Sequence, residues 1–247
     1  VLSTPILLLV VVGLSTVIAA VIQRITGLAF VLVLLGPVVL VYGAVEGVTL
    51  AVLLAVIAAA TAIPSAWRDV DWRRATWLLA AGLIAAPLGA LVSRMLPEPA
   101  LLLLIAAMAI MALLAPRLGA IAARALHGRT GALAAGAAAG FMHASSGLSG
   151  PPLAAFAMGD RWDQRRFAAS AQVIFLVFGV VSVLLRGLPE SSPVDVSILA
   201  VCTAAGSLLG AALVRRVPIA FARAAMLWCA WAGTVVVLVR GILALTA

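Results

Sequence analysis

The sequence predicts an all-α polytopic membrane protein made of two inverted repeats, each a broken hairpin followed by three transmembrane helices. Three observations carry that prediction. Of 247 residues, 66% are hydrophobic and only 10% are charged, whereas soluble domains average about a quarter charged. Apolar runs of about 20 residues, the length that crosses a bilayer as a helix, recur from end to end. The chain also repeats itself. Leu88-Gly89-Ala90, Arg94 and Pro97 return as Leu209-Gly210-Ala211, Arg215 and Pro218, each 121 positions later, and Thr26-Gly27-Leu28 returns as Ser146-Gly147-Leu148 after 120. The repeats divide the chain into residues 1–122 and 123–247.

The first element, residues 4–42, is an apolar stretch interrupted by Gln23-Arg24-Ile25-Thr26-Gly27, with a short remaining piece that ends near Tyr42. It reads as paired half-helices that enter the membrane and return. If both pieces crossed fully instead, Arg24 would sit in an inside loop and the net number of crossings would not change. Non-helical backbone at membrane depth requires protein or a water-filled cavity to satisfy it. The run has no basic n-region and no small-residue cleavage signature, so it reads as core rather than as a signal peptide.

A helix follows over 44–66, then a charged loop from Arg68 to Arg74, then a helix over 75–95. Pro97-Glu98-Pro99 stops it, because proline cannot continue a helix and restricts the residue before it. A helix over 99–120 closes the first half. Residues 131–159 mirror the first element, interrupted by His143-Ala144-Ser145-Ser146-Gly147-Leu148-Ser149-Gly150-Pro151-Pro152 and ending near Met158. Helices over 166–187, 194–215 and 219–243 complete the chain, punctuated by Pro189 to Pro193 and by Pro218.

Charge sets the orientation. The basic balance is all arginine, since the sequence contains no lysine. Arg68, Arg73 and Arg74 place the first loop inside, as do Arg117, Arg124 and Arg129 two crossings later. Arg161, Arg165 and Arg166 follow, then Arg215, Arg216 and Arg223, all in agreement with the positive-inside rule. The arginine-poor loop around Glu190 and Asp195 falls outside. The 67–74 loop and its repeat partner near 187–195 therefore lie on opposite sides, which inverts the repeats and puts both termini outside. Nucleic acid is excluded as a partner, because no basic face stands clear of the bilayer. Cys202 and Cys229 lie in apolar runs without metal-ligand spacing, and no motif calls for a cofactor.

The two interruptions hold the chemistry. A charge deep in hydrocarbon costs about 2.5–3.5 kcal/mol on insertion scales, so Arg24 needs a partner or a purpose. With Gln23, Thr26, Gly27 and the amides of the next half-helix it makes an anion site. Alternatively, Arg24 snorkels to the interface. The second interruption offers His143, Ser145, Ser146 and Ser149, with Gly147 and Gly150 permitting close backbone approach. Its serines could equally satisfy local carbonyls. Gln172 lies on the helix after the second hairpin, within reach of the site or as polar glue between helices. All eight acids sit near predicted helix ends, so proton coupling would run through His143 or the substrate itself.

Inverted repeats with interrupted helices are the pattern of secondary transporters, with the site where the halves meet. An enzyme reading competes, because Gly147-Leu148-Ser149-Gly150 matches the Gly-x-Ser-Gly of rhomboid proteases. The sequence holds no histidine after position 149, so a tight turn would have to bring His143 back to Ser149 as the base. A channel would show acid rings or a carbonyl filter instead. Composition and spacing reach a transporter of a small anion.

The Gly-rich breaks at Thr26-Gly27-Leu28 and Ser145-Ser146-Gly147-Leu148-Ser149-Gly150-Pro151-Pro152, with the Gly89 and Gly210 segments closing each half, resemble the TauE/SafE family of sulfite and organosulfur-anion exporters. The likeness covers most of the chain. It departs at the first break, where the family is richer in consecutive glycines and this chain has Gly27 beside Gln23 and Arg24. The resemblance implies a multi-pass protein of the bacterial inner membrane that exports a small sulfur-containing anion such as sulfite, sulfoacetate or a related sulfonate.

Overall fold

The computed structural model describes residues 5–246, with side chains for all of these except 115–124 and 246. Ten α-helices and no strand occur among the described residues. They are α1 (Ile6–Thr26), α2 (Phe30–Tyr42), α3 (Ala44–Ala66), α4 (Trp72–Met95), α5 (Glu98–Ala125), α6 (Gly128–Ser146), α7 (Gly150–Gly159), α8 (Gln164–Arg186), α9 (Pro193–Leu213) and α10 (Ile219–Thr246). Local chemistry sets the boundaries. The side chains of Asp71, Asp163 and Ser192 accept amide bonds from the first turns of α4, α8 and α9, which satisfies donors a helix start leaves orphaned.

Both breaks fall later than the sequence reading placed them. Gln23 and Arg24 are helical, and so are His143 to Ser146. The polar residues stay in the helix because their hydroxyls return to carbonyls one turn back, Thr26 to Ile22 and Ser146 to Met142, a bond compatible with helix. The chain turns at Gly27 and Gly147, with φ of +82° and +77°, where a residue without Cβ avoids the left-handed penalty; Ala29, also left-handed at φ +86°, completes the first turn. The arms of each hairpin are therefore unequal. α1 has 21 residues and is long and apolar enough to cross a membrane, whereas α2 has 13; α6 has 19 and α7 only 10.

Six described helices meet the length and composition of a membrane span: α1, α3 with the following turn, α4, α8, α9 and α10. Their outer faces expose large apolar residues, among them Ile84, Leu184 and Trp228, a surface that suits lipid.

Packing partners are exchanged between the halves. α4 lies along α6 as α9 lies along α1; α5 meets α7 as α10 meets α2; α3 meets α8, and α5 meets α10. The repeated glycines make these crossings. A Cβ on Gly89 would stand 2.2 Å from the carbonyl oxygen of Phe141, and one on Gly210 would stand 3.0 Å from Cα of Val21. Phe141 and Val21 are themselves 120 positions apart. Small residues that let backbones touch are the usual glue between helices in lipid, where burial from water supplies no drive.

Three basic loops meet at one end of the bundle. Arg74 bonds Asp71 at 2.9 Å and Asp160 at 2.6 Å, the Gly128 amide donates to Asp160, and Arg165 pairs with Asp69 at 2.8 Å. Burial pushes the Asp160 carboxyl up, but the Gly128 amide and Arg74 outweigh it and hold the group below its ordinary value; the same balance, with Arg74 dominant, lowers Asp71. Arg117 and Arg124 lie outside the described side chains. At the opposite end Arg186 bonds α3, α4 and α6, and Glu46 accepts from Ser191.

Candidate functional site

The two breaks face one cavity of about 590 Å³. They are built alike. Gly27 donates its amide to the Gln23 carbonyl at 2.7 Å, and Gly147 donates to the His143 carbonyl at 2.8 Å. Gln23 and His143 are thus equivalent residues, each four positions before a left-handed glycine, each buried, and each lining the cavity.

Their side chains differ in what they do. Gln23 Nε2 donates to Gln172 Oε1 at 3.2 Å, and Gln172 Nε2 donates to the Gly27 carbonyl at 2.9 Å, so the second half clamps the break of the first. His143 Nδ1 lies 2.9 Å from Ser149 Oγ across its own break. His143 Nε2 is buried with no hydrogen-bond partner among the described residues. The turn that a Ser–His pair requires therefore exists. The third group that orients the base in a Ser–His–acid triad has no counterpart at Nε2 among the described residues.

The short arms start at the cavity. Phe30, Val31 and Leu32 open α2 and line it, as Gly150 and Pro151 do for α7. Neither helix has a capping side chain on its first turn, so amides without intrahelical partners stand at the cavity wall. The contributions are unequal. Pro151 and Pro152 carry no N–H, so α7, which looked richer in sequence, offers mainly the Gly150 amide and the Ser149 hydroxyl. α2 offers three amides.

Of the residues singled out in sequence, Gln23, Thr26, His143, Gly147, Ser149 and Gly150 line this cavity. Ser145 and Ser146 line neither this cavity nor the smaller one beside it; their hydroxyls are spent on Phe141 and Met142 carbonyls at 2.9 Å each. Arg24, Gly27 and Gln172 border a second, smaller cavity instead. Arg24 donates to Ser65 Oγ at 2.6 Å and to the Ala62 carbonyl at 3.4 Å, anchoring α1 to the end of α3.

Sequence reasoning missed Arg161 and Arg223. Both are exposed, both line the larger cavity, and they come from the loop after α7 and the start of α10. They bring positive charge to its opening. Their only signal was membership of the basic clusters, which orientation alone explained. Gln164 and Phe167 at the start of α8 complete that rim.

The model of the family described as sulfite exporter TauE/SafE matches residues 7–237. No curated protein and no solved structure matches the chain.

Proposed function

Since this chain belongs to the sulfite exporter TauE/SafE family, a family of membrane transporters of sulfur anions, we propose that it exports a small sulfur-containing oxyanion by alternating access. The carrying observation is the pair of equivalent breaks at Gly27 and Gly147 that open on one cavity. Sulfite, sulfoacetate or a related sulfonate is the substrate class. Its oxygens accept from the α2 amides, the Gly150 amide, Gln23 and Ser149, while Arg161 and Arg223 draw the anion to the opening. Ser149 is free to donate to the anion when His143 carries its proton on Nδ1 and donates it to Ser149 Oγ, so the imidazole tautomer tunes the site.

Residues 1–122 and 123–247 act as inverted halves of a protein in the bacterial inner membrane, with both termini outside. The exchanged packing of α4 on α6 and α9 on α1 supports two related halves. Rocking one against the other would open the cavity first inside, where Arg161 and Arg223 stand, then outside. If protons are coupled, His143 or the anion carries them.

Uptake of radiolabelled sulfite and sulfoacetate into proteoliposomes, against acetate and chloride, with and without a pH gradient, tests the proposal. Saturable flux of a sulfur anion is expected. Flux of acetate at an equal rate, or none of any, would sink it.

A further inference from the structure

We propose that the smaller cavity is a second anion-binding site, an antechamber separated from the larger cavity by the Gln23–Gln172 hydrogen bond. The inference deepens the proposed function and rests on it. The cavity has a volume of about 190 Å³ and is bordered by Arg24, Ser65, Gln172 and Ser207. Gln23 lines both cavities, and Gln172 only the smaller.

Arg24 is the reason to assign an anion. A guanidinium has five N–H donors and no acceptor. Arg24 spends them on one hydroxyl and one long carbonyl contact. The one acid among the lining residues, Asp69, is engaged 2.8 Å away by Arg165 at the rim. The Arg24 charge is therefore left without a carboxylate in a half-buried position.

Arg186 shows what a satisfied arginine looks like in the same fold. It donates to Thr49 at 3.1 Å, Ser93 at 2.8 Å, the Ala144 carbonyl at 3.0 Å and the Val45 carbonyl at 3.1 Å. Ala144 is the repeat equivalent of Arg24, so the two halves each place one arginine at the same crossing, on opposite helices. Arg24 borders the smaller cavity, whereas Arg186 lines neither of the two cavities. Spare donors, an uncompensated cation and room for a few waters' volume fit a compact oxyanion such as sulfite. Parting Gln23 from Gln172 would join this space to the larger cavity.

Equilibrium binding of radiolabelled sulfite to the purified full chain in detergent tests this. Two sites per chain are expected in the wild type. Arg24→Gln should leave one in a chain that still unfolds cooperatively, and Ser149→Ala should weaken the one that remains. Arg24→Lys, which keeps the charge, should weaken the second site about tenfold, the equivalent of one hydrogen bond to a charged group. A single wild-type site that survives Arg24→Gln overturns the antechamber and leaves the transport reading standing. Loss of both sites in folded Arg24→Gln also overturns it, by making Arg24 part of the main site. No binding by folded wild type sinks the transport reading and this inference together. If Arg24→Gln does not fold, Arg24→Lys decides, and unchanged binding at both sites overturns the proposal.

Discussion

Gln23 and His143 stand 120 positions apart in sequence and at the same place in the fold, each giving its carbonyl to a left-handed glycine and its side chain to one cavity. One amide and one imidazole at equivalent positions make the two walls of the site chemically unlike. The Gln23 side is braced from outside by Gln172. On the His143 side the hydrogen bond comes from Ser149 of its own hairpin, and α8 contributes the Phe178 ring, 5.9 Å from the imidazole.

That difference predicts the behaviour of variants at position 143. His143→Ala removes the partner of the buried Ser149 hydroxyl, at a cost of about 1–3 kcal/mol, and should lower sulfite flux at least tenfold. His143→Gln copies the first half and should keep more flux than the alanine variant. Initial uptake rates in proteoliposomes decide it; equal rates for both variants would mean that the Ser149 bond has no part in transport.

The left-handed glycines should be sensitive to any side chain. An L-residue in that conformation costs about 1–2 kcal/mol. Gly147→Ala adds a contact, since its Cβ would lie 2.9 Å from Val31 Cγ1, against 3.1 Å from Ala168 Cβ for Gly27→Ala. Both should lower the unfolding temperature in detergent, Gly147→Ala by more. The opposite ranking would show that the hairpins yield differently from their geometry.

The helix crossings make a similar comparison. At Gly89 the obstacle is a backbone carbonyl at 2.2 Å, whereas at Gly210 the nearest atom is the Arg24 Cβ at 2.7 Å. Overpacking costs about 1–3 kcal/mol, and since neither a carbonyl nor a Cβ can rotate away, the closer approach decides. Gly89→Ala should therefore destabilise more than Gly210→Ala, read as the difference in unfolding temperature between the two variants.

Acid should loosen the basic end of the bundle. Asp71 and Asp160 have native pKa values below the ordinary 3.8, held there by Arg74 and backbone amides against the opposing effect of burial. A carboxyl lowered in this way stabilises the fold fully above its ordinary pKa and loses that contribution as pH falls through the native value. Stability should therefore be flat with respect to these groups near neutrality and fall below 3.8. Asp160→Asn should be less stable at neutral pH and show a shallower acid decline. A parallel curve would mean that Asp160 contributes no pH-dependent stability.

Much of the fold was legible because bilayer physics writes it into one dimension. The helices after each break match the apolar runs to within a few residues, since proline, charge and span length leave little choice. Apolar length alone could not say where the breaks fall. Gln23 and Arg24 look like interruptions by polarity, yet hydrophilic residues with intact N–H groups remain in a helix, and the chain turns after them, at Gly27 and Ala29.

By itself, then, the sequence determined a helical membrane protein with a repeated plan, and the glycines and clustered arginines that mark it, because those depend on composition and spacing. Tertiary structure alone decided which polar residues share a space. Arg24 turns to Ser65 on α3, Ser145 and Ser146 spend their hydroxyls on their own helix, and Arg161 and Arg223 converge on the cavity from elements some 60 positions apart. The direction a side chain takes depends on helices brought beside it from the other half, and no local pattern encodes that.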